Sequence, residues 1–184
     1  MKTFNFCVEE VRRIPVSKER VIENIIDFDH VNYVHKRCYA YCRVVDRWKT
    51  LTLLEYGVYH IPGLPWVTHY TMLHEFQPPD TVVHLARSGK MGPWTRTVMQ
   101  VSEFQTPSGS VTEYRHFYER PLPIWMKPLT PLLRKWVRRW TDILWEEDSG
   151  IVKRRHEMVQ NGFRESTSCA RWVYEHGTGV YRFD

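Results

Sequence analysis

The fold is decided by residues 39–76, which read YAYCRVVDRWKTLTLLEYGVYHIPGLPWVTHYTMLHEF. Apolar and polar side chains alternate here with a period of two, which is typical of β-strands that cover a core with one face. Turn-forming residues divide the stretch into predicted strands at 39–48, 51–61 and 67–76. The alternation continues in three further predicted strands, at 81–88, 95–104 and 111–119. Six consecutive strands with short connections predict a curved antiparallel meander.

The residues before the meander predict one strand and two short helices. Residues 4–14 favour an opening strand. Ser17 is a good N-cap for a helix that extends to Ile26, and residues 28–35 continue as a second short helix or helical turn. The chain therefore enters the meander through a strand and a helical connection.

After the meander, the apolar residues recur with a period of about 3.6 residues, which is typical of a helix. An apolar stripe that includes Leu132, Trp136 and Trp140 predicts a long amphipathic helix that ends near Gly162, and a break near Gly150 is compatible with the pattern. Residues 1–163 thus form one predicted domain, and residues 164–184 form a predicted C-terminal tail. The element order resembles the α+β helix-grip (START/Bet v 1-like) architecture, in which a curved sheet of about seven strands and a long C-terminal helix enclose a pocket.

The composition favours a folded domain with an aromatic cavity. Apolar residues make up 42% of the 184 residues and aromatic residues 14%, with eight Trp and ten Tyr. Four irregularly spaced cysteines and a charged N-terminus without a secretory signal predict a reduced, cytoplasmic setting. Residues 56–74 lack charged side chains, but Pro62 and Pro65 interrupt them, so a membrane-spanning helix is not expected.

The net charge of +5 has its basic residues concentrated on the C-terminal helix. A solvated helix face is the favoured interpretation. An acidic protein partner, an anionic substrate and peripheral contact with a membrane are less favoured alternatives. Nucleic acid is not an expected partner, because no recognisable binding motif accompanies the charge. The basic side chains occur in two groups: Arg134, Lys135, Arg138 and Arg139, then Lys153, Arg154 and Arg155.

The segment that carries chemistry is residues 24–35, NIIDFDHVNYVH. Asp27 and His30 are three apart, so on a helix they share a face and the carboxylate can orient the imidazole. His30 and His35 are five apart, about 140° around an ideal helix, and converge on one metal only if the helix ends or bulges between them. From the residues alone, a metal-binding pair and two surface or capping histidines both remain open.

The same segment resembles the Asp-x2-His-x4-His motif in the catalytic domains of Rieske-type non-heme iron oxygenases. Residues 145–148, WEED, resemble the stretch of their C-terminal helix that supplies a third ligand. The resemblance implies an Fe(II) site made by His30, His35 and Asp148, a facial triad that leaves positions open for dioxygen. It also implies that Asp27 hydrogen-bonds to His30. Glu147 remains an alternative to Asp148 as the third ligand.

The implied function is a mononuclear non-heme iron oxygenase that acts on a hydrophobic, aromatic or polycyclic small molecule. A Rieske cluster needs Cys-x-His and Cys-x2-His pairs. No cysteine in this sequence is followed by histidine at either spacing, so no [2Fe–2S] cluster is expected in this chain. Electrons must then come from a separate ferredoxin and reductase, or from the substrate. The alternatives are a metal-free carrier of hydrophobic ligands and a metal-dependent cyclase or hydrolase. The sequence leaves the oligomeric state open.

The remaining motifs carry less weight. Cys38-x3-Cys42 has no partner pair for zinc, and neither a nucleophile elbow nor a glycine-rich phosphate loop is present. Five further histidines lie on predicted strands, where a core or surface role is favoured over metal ligation. They are His60, His69, His74, His84 and His116.

Overall fold

The strands between residues 39 and 119 form one antiparallel sheet in the computed structural model, together with a strand from the N-terminal segment. The structure describes residues 4–59, 66–89, 92–107 and 109–161. The strands are β1 (Phe6–Ile14), β2 (Tyr39–Trp48), β3 (Leu51–Tyr59), β4 (Val67–Gln77), β5 (Thr81–Ser88), β6 (Trp94–Thr106) and β7 (Gly109–Arg120). Strands β2 to β7 are neighbours in chain order, and β1 pairs with β7 at the far edge.

The helices connect and cover this sheet. They are α1 (Lys18–Ile26), α2 (Val31–Val34) and α3 (Thr130–Gln160), and a short 3₁₀ helix (Ile124–Leu129) precedes α3. Helices α1 and α2 link β1 and β2, which are the two edge strands of the sheet. Helix α3 packs against α1 and β1, and a cavity remains between α3 and the sheet.

The main core lies where α1 meets the sheet. Ile22 and Ile26 are four residues apart and share one face of α1, and Val21 is buried beside them. Each fully buried aliphatic side chain contributes roughly 1.5–3 kcal/mol, so this face holds α1 and α3 to the sheet. The other members of this core are Ile14, Val16, Phe76, Val82, Met99, Val101 and Val152.

Strand β2 bends where it joins the sheet. Its register with β3 shifts between Tyr39 and Tyr41 and again between Val44 and Asp46. Gly57 of β3 lies close to its neighbours, since an added Cβ would lie 2.8 Å from both the Tyr41 ring and Val67. A larger residue at this position would therefore force Tyr41 or Val67 to shift.

The α+β helix-grip fold predicted from the sequence is confirmed, with several local corrections. The predicted strands at 39–48 and 81–88 have the observed bounds, whereas the opening strand begins at Phe6. Ser17 occupies the N-cap of α1 without a side-chain capping bond. The second helix covers only Val31–Val34, and α3 continues without a break through Gly150. The end of the predicted strand 51–61 and the tail at 164–184 lie outside the described residues.

Within the described segments, none of the helices is both long and apolar enough to cross a membrane.

Candidate metal centre and ligand cavity

The cavity between the sheet and α3 has a volume of about 240 Å³. Nine aromatic side chains line the cavity, which suits a flat apolar ligand. The aromatic lining comprises Phe28, Tyr39, Tyr56, Tyr70, Tyr114, Tyr118, Trp136, Trp140 and Trp145. Burial raises the pKa of Tyr39, Tyr56 and Tyr114, so these phenols stay protonated.

Three possible metal ligands converge on the wall of this cavity. The Nε2 atoms of His30 and His35 lie 3.3 Å apart. The Oδ1 atom of Asp148 lies 3.4 Å from the Nε2 of His30 and 3.0 Å from the Nε2 of His35. The fold thus brings the two histidines of the sequence motif next to a carboxylate of α3.

The short helix α2 explains how two histidines five residues apart can meet. Only Val31–Val34 are helical, with His30 at the N-cap and His35 at the C-cap. The helix ends at His35, whose φ of −88° and ψ of 38° depart from helical values. The two histidines therefore flank one short turn, and their Nε2 atoms meet at 3.3 Å.

Asp148 receives hydrogen bonds from three directions. Besides the two histidines, the Nδ2 atom of Asn24 donates to its Oδ1 at 2.8 Å. Asn24 belongs to the sequence motif but had no assigned role, and only the packing of α1 against α3 reveals its contact. Because Asn24 is itself buried, it holds the carboxylate in one orientation.

The electrostatics keep this carboxylate ionised. Burial alone would raise the pKa of Asp148, but hydrogen bonds from His30 and His35 hold it well below its ordinary value. Burial likewise opposes the charged form of His35, yet hydrogen bonds to Asp148 and Glu147 raise the pKa of its imidazole. The site therefore attracts positive charge, whether a proton or a metal ion.

Glu147 contacts the opposite side of the His35 ring. Its Oε2 atom lies 3.0 Å from the Nδ1 of His35, while Asp148 faces Nε2. With one proton held on Nδ1 by this carboxylate, loss of the other proton from Nε2 would expose the lone pair that a metal-binding histidine uses. The two neighbouring acids thus approach the same imidazole in different roles.

Asp27 does not make the expected contact with His30. Its Oδ2 atom accepts a hydrogen bond from Arg155 at 2.8 Å, and the buried Nδ1 of His30 has no hydrogen-bond partner in the described part of the chain. Asp27 is the C-cap of α1, where the chain has left the helix, and Arg155 of α3 lies within reach. The carboxylate and the imidazole therefore do not share a helix face.

The three ligand atoms fit a metal ion. Ligands at about 2.1 Å from a metal lie about 3.0 Å apart at right angles and about 3.4 Å apart in a tetrahedron. The observed separations of 3.0, 3.3 and 3.4 Å among the atoms of His30, His35 and Asp148 span this range. Two imidazoles and one carboxylate are also a donor set typical of non-heme Fe(II).

The histidines of the sheet form a separate group. The Nδ1 of His74 lies 2.8 Å from the Nε2 of His84, and both His84 and His116 line the cavity. Burial lowers the pKa of His84 to about 3 and that of His116 to about 4, so both imidazoles are neutral. His69 is an exposed residue of β4, and its Nδ1 lies 2.9 Å from the Tyr41 hydroxyl. His60 lies outside the described residues.

Comparison with known proteins gives a fold relationship only. No protein-family model and no curated protein matches this chain. Among solved structures, the Zhui aromatase/cyclase from Streptomyces sp. R1128 aligns with a TM-score of 0.63 and 10% identity, covering 81% of this chain and 94% of that one. A START superfamily protein from Mycobacterium smegmatis aligns with a TM-score of 0.59 and 14% identity, covering 81% and 98%.

A dicamba monooxygenase bound to 3,6-dichlorosalicylic acid aligns with a TM-score of 0.61 and 14% identity. The alignment covers 94% of this chain and 56% of the monooxygenase, so this chain spans about half of that protein. At these identities, the three similarities establish the helix-grip fold alone.

Proposed function

We propose that this protein is a mononuclear non-heme iron oxygenase-like enzyme that acts on a hydrophobic, aromatic or polycyclic small molecule. The observation that carries the proposal is the convergence of His30, His35 and Asp148 on the wall of an aromatic cavity. Fe(II) held by two histidines and one carboxylate would supply open coordination positions for the activation of dioxygen.

The neighbouring residues prepare these three side chains for a metal. Glu147 holds the proton of His35 on Nδ1, so that Nε2 presents its lone pair. Asn24 fixes the orientation of the Asp148 carboxylate from the side of α1. Such outer contacts set the direction and basicity of metal ligands.

Other residues that line the cavity supply groups that can bind a substrate. Aromatic rings of Tyr39 and Trp140 meet at the cavity with centroids 5.7 Å apart and offer stacking surfaces. The neutral imidazoles of His84 and His116 can each donate or accept one hydrogen bond from an oxygen substituent. The fold neighbours named aromatase/cyclase and the monooxygenase with bound 3,6-dichlorosalicylic acid support an aromatic substrate class.

The electrons belong to a separate protein in this proposal. The sequence carries none of the Cys-x-His spacing that a Rieske cluster requires. We therefore assign the role of electron donor to a ferredoxin with its reductase. A substrate that supplies its own electrons is the alternative.

Two other functions use the same cavity. Because Asn24, His30 and His35 already surround the Asp148 oxygen, this carboxylate is also satisfied in a metal-free carrier of hydrophobic ligands. A metal-dependent cyclase or hydrolase would instead use the triad as a Lewis acid, without consuming dioxygen.

Dioxygen uptake by the Fe(II)-loaded chain distinguishes the three functions. The assay supplies ferredoxin, ferredoxin reductase, NADPH and a panel of hydroxylated aromatic compounds, with His30→Ala as the control. The proposal expects uptake that depends on the aromatic compound and is lost in the control. Iron binding without uptake would indicate the Lewis-acid function, and ligand binding without iron would indicate the carrier.

A further inference from the structure

One end of the sheet collects exposed apolar side chains. In an antiparallel meander, neighbouring strands run in opposite directions, so β4 and β6 begin at the same end of the sheet at which β7 finishes. Trp66 and Trp94, at the starts of β4 and β6, are exposed there. The 3₁₀ helix and the first turns of α3 complete this end of the molecule.

The segment that follows β7 exposes large apolar side chains instead of burying them. Ile124 is 78% exposed, Trp125 70% and Leu132 65%, and Leu129 is also exposed. Isolated exposed apolar residues are ordinary, but four within nine residues are a patch that marks an interaction site.

Basic side chains accompany this patch in the sequence. Residues 120–141 contain six basic and no acidic side chains. Lys127, Lys135 and Arg139 are exposed, while Arg138 is paired with Glu10 at 3.0 Å. We call Ile124, Trp125, Leu129 and Leu132, with these basic residues, the basic apolar surface.

The basic apolar surface is continuous with the cavity. Leu132, Trp136, Trp140 and Leu144 are four residues apart and follow one stripe along α3. The last three line the cavity, and Trp136 is still 42% exposed. The cavity therefore opens at Trp136, next to the exposed apolar side chains.

We propose that the basic apolar surface binds the surface of an anionic lipid bilayer, with the mouth of the cavity facing the lipid. Tryptophan and aliphatic side chains beside lysine and arginine are the composition of interfacial membrane-binding segments. Each basic residue adds electrostatic attraction to anionic lipid headgroups. The exposed apolar side chains can insert at the boundary between the headgroups and the acyl chains. An acidic protein would complement the charge but not the protruding Trp125 and Ile124. The proposal is independent of metal binding.

Co-sedimentation of the full chain with vesicles tests this proposal. Wild-type protein should bind vesicles of phosphatidylcholine mixed with phosphatidylglycerol, and should bind pure phosphatidylcholine at least about tenfold more weakly. Ile124→Ser combined with Trp125→Ser should weaken binding to the mixed vesicles about tenfold or more. Lys135→Glu combined with Arg139→Glu should do the same and reduce the salt dependence, leaving the Arg138–Glu10 pair intact.

Trp48→Ser is the matched control. Trp48 is 49% exposed but ends β2 at the opposite end of the sheet, so this change should leave vesicle binding unaltered. Circular dichroism of every variant excludes loss of folding.

Wild-type protein that ignores anionic vesicles would overturn the proposal, as would equal effects of the Trp48 and Trp125 changes. A concentration-dependent dimer abolished by the Ile124 and Trp125 changes, with no vesicle binding, would assign the surface to a second copy and would also overturn it.

Discussion

Substitution of the three consecutive acids of α3 probes the candidate metal centre most finely. Glu146, Glu147 and Asp148 differ sharply in what they contact. Asp148 faces both histidine Nε2 atoms, Glu147 contacts the Nδ1 of His35, and the exposed Glu146 lies 3.6 Å from Arg37. Replacing each acid by its amide changes the charge while almost preserving the shape.

The structure sets the expected order of effects. Glu147→Gln converts a charge-assisted hydrogen bond, worth about 1.5–3 kcal/mol, into a neutral one worth about 0.5–1.5 kcal/mol. The loss of about 1–1.5 kcal/mol corresponds to roughly tenfold weaker metal binding, at the lower end of the range for outer contacts of metal ligands. Asp148→Asn removes the anionic ligand itself and should cost more than about a hundredfold. Glu146→Gln should stay within about twofold.

Anaerobic calorimetric titration with Fe(II) measures these affinities, and thermal unfolding of each variant checks that the fold is retained. Equal affinities for the Glu147→Gln and Glu146→Gln variants would refute the role of Glu147. Wild-type affinity in Asp148→Asn would refute the ligand assignment. If Glu147→Gln proved more damaging than Asp148→Asn, the two acids would have exchanged roles.

Three further predictions concern the sheet and the cavity. Because the buried His84 and His116 have pKa values of about 3 and about 4, well below about 6.5 for unfolded histidine, their contribution to stability should be constant above about pH 6.5. This contribution should fall between about pH 6.5 and pH 4 by up to roughly 1.4 kcal/mol per pH unit for each histidine. Urea unfolding at several pH values measures the slope. The same slope in the His116→Phe variant would contradict the prediction. Ala86→Phe places a ring in the cavity and should weaken the binding of 1-naphthol, measured by fluorescence, at least about tenfold. The amount of bound iron should stay constant. Loss of iron would mean that the cavity and the metal site are not separable. Gly57→Ala forces a 2.8 Å contact with Tyr41 and Val67, so the free energy of unfolding in urea should fall by more than about 1 kcal/mol. An unchanged unfolding midpoint would show that β2 can shift away without loss of stability.

The sequence predicted most of the fold because the alternation in each strand agrees with the turn residues between strands. The convergence of His30 and His35 was also accessible, since their spacing requires a helix end that a four-residue helix supplies. Both results depend on local patterns, which need no knowledge of distant packing.

The sequence did not predict features that depend on tertiary packing or on the direction of individual side chains. Gly150 costs only about 1 kcal/mol relative to alanine in a helix, and the buried contacts of Trp145 and Val152 on either side are enough to continue α3. The partner of Asp27 depends on the position of Arg155, 128 residues away, relative to the end of α1. The different roles of Glu147 and Asp148 depend on the phase of α3, in which neighbouring residues differ by 100°.

Anomalous diffraction at the iron edge, from crystals grown anaerobically with Fe(II), would locate the metal relative to the three proposed ligands. We expect a single peak within about 2.3 Å of the Nε2 atoms of His30 and His35 and of the Oδ1 atom of Asp148. A crystal saturated with Fe(II) that shows no peak at these three atoms, or a peak held by Glu147 instead of Asp148, would contradict it.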